Sequence, residues 1–185
     1  MLTDSRKSYG WLSIVMHWLS AVMILGLFGV GFYMVGLSYY DQGYHTLPRW
    51  HVSFGLLLGF LMLFRLVWRL VNWGKPKPLP NHTRPIRFLS TAMKYSLYLL
   101  VLIMIVTGYL ITTARGDPAR MFDILRIPAT IQLSASGVDR AGDIHEVVGW
   151  LIVILAALHA GAALMHHFVI RDKTLKRMLV PQNRD

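Results

Sequence analysis

Cysteine is absent from this chain of 185 residues. That absence excludes disulfides, iron–sulfur clusters, thiolate metal sites and covalent c-type haem attachment together. Acidic residues are scarce, 9 Asp and Glu against 19 Lys and Arg, and charged residues of both signs make up only 15%. A soluble domain of this length carries more charge and alternates its apolar residues with polar ones. Here the apolar residues, 55% of the total, come in long blocks, and the mean hydropathy is +0.46. The formal net charge of +10 raises nucleic-acid binding, but Lys and Arg flank the blocks instead of lining a soluble face. That class is set aside.

Four blocks have the length a bilayer demands, since a helix needs about 20 apolar residues to cross the hydrocarbon. Lipid offers no water to open backbone groups, so these blocks are helical. The expected helices cover about 11–37, 49–72, 88–114 and 143–171. The chain thus reads as an all-α integral membrane four-helix bundle, a single domain over 1–185. Arg6 and Lys7 precede the first block as in a signal peptide, but the block is too long and lacks a small-residue cleavage site, so it is expected to be retained. Asp143 with Glu146 three residues on resembles a capping pair and predicts the start of the fourth helix.

The connections differ in character. The first, 38–48, is short and aromatic; the second, KPKPLPNHTRP, is proline-rich and basic, hence extended. The third, 115–142, is the longest and is expected to carry a short surface helix at 121–125. The N-terminal segment, the second connection with its flanking helix ends, and the tail hold 14 of the 19 Lys and Arg. The other five are Arg49, Arg115, Arg120, Arg126 and Arg140. Both termini are therefore expected on the cytoplasmic side.

Ionisable residues inside membrane helices are costly and point to function. Of eight histidines, His45 and His82 fall in connections and are expected to meet water; His166 and His167 close the fourth helix. His17, His51, His145 and His159 fall within or at the ends of three spans. His145 and His159 are 14 residues apart, which places them about 40° apart around one helix and about 21 Å apart along it. One helix thus offers a ligand near each membrane surface. His51 opens the second helix level with His145. His17 lies between the levels of His159 and His166, and geometry permits either partner; pairing with His166 would stretch the metal separation to about 31 Å, which favours His159. Two imidazoles per iron close both axial positions of a haem and suit electron transfer over oxygen binding. A lone membrane histidine is more often a helix-to-helix hydrogen bonder; two depth-matched pairs are hard to obtain by accident.

Small residues sit near these faces: Gly55 and Gly59 follow His51, while Gly149 and Ala163 each follow a fourth-helix histidine by four. They fit either close approach of a flat porphyrin or ordinary helix packing. Arg65 and Arg69, 14 and 18 residues after His51, lie within about 40° of its direction. Arg65 is the candidate partner for a haem propionate, with snorkelling as the alternative for both.

The stretches SIVMHWLSA, RWHVSFGLLLGFLMLFRLVWRL, DIHEVVGWLIVILAALHAGAALMHHF and DKTLKRM resemble the bacterial cytochrome b561 family, small di-haem proteins of the inner membrane. The resemblance implies two haem b groups, with His17 and His159 as iron ligands on the cytoplasmic side and His51 and His145 on the periplasmic side. It also implies exchange with ubiquinone, and superoxide as a substrate in at least one branch. The long aromatic connection LSYYDQGYH is similar to another branch.

Three functions compete. One is a superoxide:ubiquinone oxidoreductase, whose anionic substrate would be steered by Arg115, Arg120, Arg126 and Arg140. Another is a membrane cytochrome subunit or carrier serving a separate redox protein. The third is a haem-free metal transporter, although such sites recruit carboxylates and Glu146 is the only one near a span's interior. Candidate quinone sites are the region of Trp18 and His166, or the aromatic group Tyr39, Tyr40, Tyr44 and Trp50.

Overall fold

The computed structural model describes residues 2–181. Four helices dominate it: α1 (Trp11–Met34), α2 (Leu47–Val71), α3 (Arg84–Thr113) and α4 (Ala135–Phe168). Each is long and apolar enough to cross a membrane, with window hydropathies of 1.9 to 2.3. Even the shortest, 24 residues, spans about 36 Å at 1.5 Å per residue, more than the roughly 30 Å of hydrocarbon. Large apolar side chains along them stay exposed, among them Val22, Phe32, Leu63, Leu102 and Leu158. Such an outward apolar surface suits lipid as solvent.

The helix ends have local causes. Helices α2 and α3 begin earlier than the sequence suggests, at Leu47 and Arg84, and so take in Pro48 and Pro85. Proline is tolerated in a first turn, where its missing N–H would have had no partner. Helix α1 closes at Met34, where the Gly36 and Leu37 N–H groups turn back to the Tyr33 and Met34 carbonyls. Helix α4 begins at Ala135, eight residues before the expected Asp143. Ser134 is the cap: its hydroxyl accepts from Gly137 N–H (3.3 Å) and its carbonyl from Val138 N–H (3.0 Å). Asp143 and Glu146 are exposed residues within the helix, not its start.

The third connection forms no helix at 121–125. It is a hairpin of β1 (Ala119–Met121) and β2 (Leu125–Ile127), antiparallel, with Arg120 opposite Arg126. Phe122 and Asp123 turn the chain at φ +51° and +56°, two left-handed residues as in a type I′ turn, closed by Ile124 N–H donating to Met121 O (3.1 Å). Phe122 N–H donates to Ser53 Oγ (3.0 Å), and its ring packs on Phe54 (5.1 Å) and Trp50 (6.0 Å). Those contacts hold a non-glycine residue in an unfavourable region.

The chain divides into two compact units. The first holds the described residues of Met1–Ala21, Leu61–Leu97 and Ile154–Asp185; the second holds Val22–Phe60 and Tyr98–Val153. In the first unit, the N-terminal segment, second connection and tail are tied together. Lys77 N–H donates to Arg6 O (2.9 Å), Arg177 Nη1 to Lys77 O (3.0 Å), and Trp18 Nε1 to Met178 O (2.7 Å). Asp4 Oδ1 accepts from Gly10 N–H (2.8 Å), and a Cβ on Gly10 would collide with the Leu2 carbonyl oxygen. Gly10→Ala should therefore cost about 1–3 kcal/mol by overpacking against backbone. At roughly 2–4 °C per kcal/mol, a lowered melting temperature in detergent checks this.

In the second unit, the rings of Phe28 and Trp150 join α1 to α4 edge to face at 4.9 Å. Gly59 brings α2 against Ile105 of α3.

Candidate functional site

The first unit brings His17 of α1 to His159 of α4, with ring centres 6.3 Å apart and planes at 67°. The alternative partner for His17 is occupied elsewhere: His166 Nδ1 lies 2.6 Å from Asp172 Oδ2. Arg65 reaches this pair from α2. Its Nη1 donates to Ser20 Oγ (2.8 Å), whose own hydroxyl donates to Met16 O, and its Nη2 stands 3.1 Å from His17 Nδ1. A guanidinium only donates, so His17 Nδ1 accepts here and the ring proton sits on Nε2. Arg69 does not join them; its guanidinium donates to Lys75 O.

The second unit brings His51 of α2 to His145 of α4, with ring centres 6.2 Å apart and planes at 66°. Thr107 sets the state of His145. Its hydroxyl donates to Ile103 O (2.8 Å), leaving the oxygen to accept from His145 Nδ1–H at 2.9 Å. The Nε2 lone pair of His145 is then free for a metal, the usual arrangement when a neighbour fixes an imidazole ligand. His51 Nδ1 is buried near the Leu27 carbonyl without a hydrogen bond of normal geometry.

Both rings of this second pair lie against glycine. A Cβ on Gly31 would stand 3.2 Å from His51 Cε1, and one on Gly108 would stand 3.1 Å from His145 Cε1. No spacing rule revealed these two glycines or Thr107, because their partners lie on other helices. The small residues that the sequence did suggest serve otherwise. Gly59 meets Ile105, Gly149 packs on Phe28 and Met104, and Gly55 faces open space.

Two imidazoles that hold one metal between them, each at about 2 Å through a nitrogen, have ring centres about 6 Å apart. Both pairs meet that separation, and no hydrogen bond joins either pair among the described residues. A direct bond between the rings would bring two nitrogens to about 3 Å. The donor lone pair lies in the ring plane, so the twist between planes leaves coordination possible. The donor set, four neutral nitrogens without carboxylate or thiolate, suits haem iron. The residues present fit that group.

The quinone candidates separate. Trp18 is tied to the tail carbonyl of Met178, and His166 to Asp172. Tyr39 packs with Tyr40, Tyr44 and His45, whereas Trp50 stacks on Phe54 at 5.8 Å. Beside His51, within the second unit, lies an apolar cavity of about 300 Å³ lined by Gly26, Leu27, Val30, Trp50 and Phe54 among others. His45 is exposed as expected, but His82 is not: its side chain is 12% exposed and bonded to Asp172.

A family model described as prokaryotic cytochrome b561 matches residues 8–181. The chain is 40% identical over 183 residues to "Cytochrome b561 homolog 2" of Escherichia coli (strain K12), covering 99% of this chain and 97% of that protein. It is 27% identical over 176 residues to "Probable superoxide oxidase CybB" of Yersinia pestis, covering 94% and 97%.

Proposed function

This chain belongs to the prokaryotic cytochrome b561 family, and from that premise we propose that it holds two b-type haems, one on each histidine pair, and passes electrons from superoxide to ubiquinone. Membership makes it a multi-pass electron-transfer protein of the bacterial inner membrane that binds haem b. The count of two rests on one observation, the near-identical separations of 6.3 and 6.2 Å in His17–His159 and His51–His145.

Haem b held there, by His17 with His159 and by His51 with His145, would supply a reversible one-electron couple. The chain's own residues prepare the sites unequally. Thr107 keeps the His145 proton on Nδ1 and its Nε2 open. His17 needs the opposite change, because coordination through Nε2 requires the ring proton to move to Nδ1. Arg65 would then turn its Nη2 from Nδ1 towards an anionic group such as a propionate while Nη1 keeps its bond to Ser20. Gly31 and Gly108 leave room for the rings of His51 and His145.

Superoxide as donor is supported by the name of the Yersinia pestis relative and by Arg115, Arg120 and Arg126 in the connection before α4, with Arg140 near the start of that helix, which would attract a small anion. The balance is simple. Two superoxide anions give up two electrons and leave as two dioxygen molecules; one ubiquinone takes those electrons with two protons. The cation distribution supports both termini facing the cytoplasm, which puts that connection on the opposite, periplasmic side.

Stopped-flow mixing of oxidised protein with superoxide tests the donor. The expected trace shows haem reduction, reversed on adding a soluble ubiquinone. Reduction by ubiquinol but none by superoxide would remove the donor and leave the quinone-linked reading standing.

A further inference from the structure

Outside both histidine pairs, three ligand-bearing side chains of the first unit converge on one point. They come from distant parts of the sequence: His82 from the second connection, His166 from the end of α4, and Asp172 from the tail. Their ligand atoms all lie within 4.8 Å of one another, the one such set of three found among the described residues. Asp172 Oδ2 is central, 2.6 Å from His166 Nδ1 and 3.2 Å from His82 Nε2. The side chains of His82, His166 and Asp172 are 12%, 11% and 5% exposed, so this is no solvated surface cluster.

We propose that His82, His166 and Asp172 form a binding site for a divalent transition-metal ion of the zinc class, which clips the second connection and the tail to the end of α4.

The backbone is shaped to close the site. Arg171 takes φ +57°, the left-handed region that a bulky residue occupies rarely. That turn brings Asp172 N–H to His166 O (3.0 Å) and folds the carboxylate back over the imidazole. Asp172 Oδ1 accepts from Thr174 N–H (2.7 Å), which orients the other oxygen towards the two rings. Burial would raise the Asp172 carboxyl, but hydrogen bonds from Thr174, His166 and His82 outweigh it and hold the group below the usual carboxylate range. Thr174 Oγ1, 3.3 Å from His82 Nε2, stands at the rim. Arg177 is near enough to interact with the carboxylate, yet its guanidinium donates to Lys77 O.

Two imidazoles and one carboxylate are a common donor set for zinc and its neighbours, and leave coordination positions for water. Metal–ligand bonds of about 2.0–2.2 Å place tetrahedral donor atoms about 3.4 Å apart. To reach that, the His82 contact to Asp172, now 3.2 Å, opens by about 0.2 Å and the His166 contact, now 2.6 Å, by about 0.8 Å. Each imidazole must also face the ion with a bare nitrogen, so its proton moves to the other ring nitrogen. The rival arrangement is a purely hydrogen-bonded triad, with both rings donating to Asp172.

Metal counting separates the two, without reference to electron transfer. The untagged, haem-loaded full chain is stripped with a chelator, equilibrated with Zn²⁺, and passed through gel filtration before elemental analysis. One zinc per chain is expected to remain. His82→Ala and Asp172→Asn should each weaken zinc binding roughly tenfold or more while the haem spectrum stays unchanged. Wild-type protein that retains no zinc, or variants that retain as much, would overturn the site. Should a variant lose its haem spectrum through misfolding, wild type alone decides. Its melting temperature rises with added Zn²⁺ if the clip exists and does not move if the triad is only hydrogen-bonded.

Discussion

Replacing any one of His17, His51, His145 or His159 by alanine should remove about half of the low-spin haem from the purified protein. Under the proposed ligation each imidazole would be one of two iron ligands, and deleting it would leave the iron a single protein partner. Even outer groups that orient a metal ligand cost 10–100-fold in affinity when removed, so loss of the ligand itself costs more. The pattern across double variants carries more information than any single loss. If His17 and His159 serve one centre, as proposed, the pair of changes should cost no more than either alone. The same holds for His51 with His145. Combining His17→Ala with His51→Ala crosses the two centres and should leave no low-spin haem. Such non-additivity within pairs and additivity between them separates direct ligation from general destabilisation. Visible spectra of the oxidised and reduced proteins, scaled to protein mass, provide the measurement.

A glycine substitution should produce nearly as large an effect at one centre only. At Gly108, an added Cβ stands 3.1 Å from His145 Cε1 and 3.6 Å from its Nδ1; at Gly31, it stands 3.2 Å from His51 Cε1. Packed interiors yield little at such distances, and valine adds two further methyl groups beyond the Cβ. Gly108→Val also crowds the nitrogen that Thr107 holds at 2.9 Å. Either valine should displace its imidazole and remove most of the haem at the His51–His145 centre. The His17–His159 centre should survive, since neither glycine touches those rings. Gly55→Ala is the matching control. Nothing lies within 4 Å of a Cβ there, and haem content should stay at the wild-type level. Quantitative spectra of the three variants check this. Equal loss in all three would mean that helix packing, not the imidazole cradle, is being measured.

The two levels and the His51–His145 pair were legible from spacing because a helix converts sequence distance directly into direction and depth. His145 and His159 on one helix set two levels, and His51 could be matched from the end of its own span. His17 could not be matched this way, since a difference of seven residues between His159 and His166 shifts depth without changing face much. The tail resolves it, by drawing His166 to Asp172.

What sequence periodicity missed has a common cause. The start of α4 depends on Ser134, whose hydroxyl caps a helix continuing well past the apolar block; the charges at Asp143 and Glu146 disguised that continuation. The hairpin at Phe122 depends on Ser53 and Trp50 of α2, which hold two positive φ values that no local propensity would choose. Thr107, Gly31 and Gly108 matter only through side chains on neighbouring helices. His82 read as a solvated loop residue because its partner Asp172 is 90 positions away. In each case the deciding contact lies between segments, and spacing along one helix carries no record of it.

Pyridine haemochrome quantitation of the wild-type protein, referred to its amino-acid content, counts the haem groups held by the two histidine pairs. Two haem b groups per chain is the expected result, with no other haem type present. A value of one, or a colourless preparation from haem-replete cells, would contradict it.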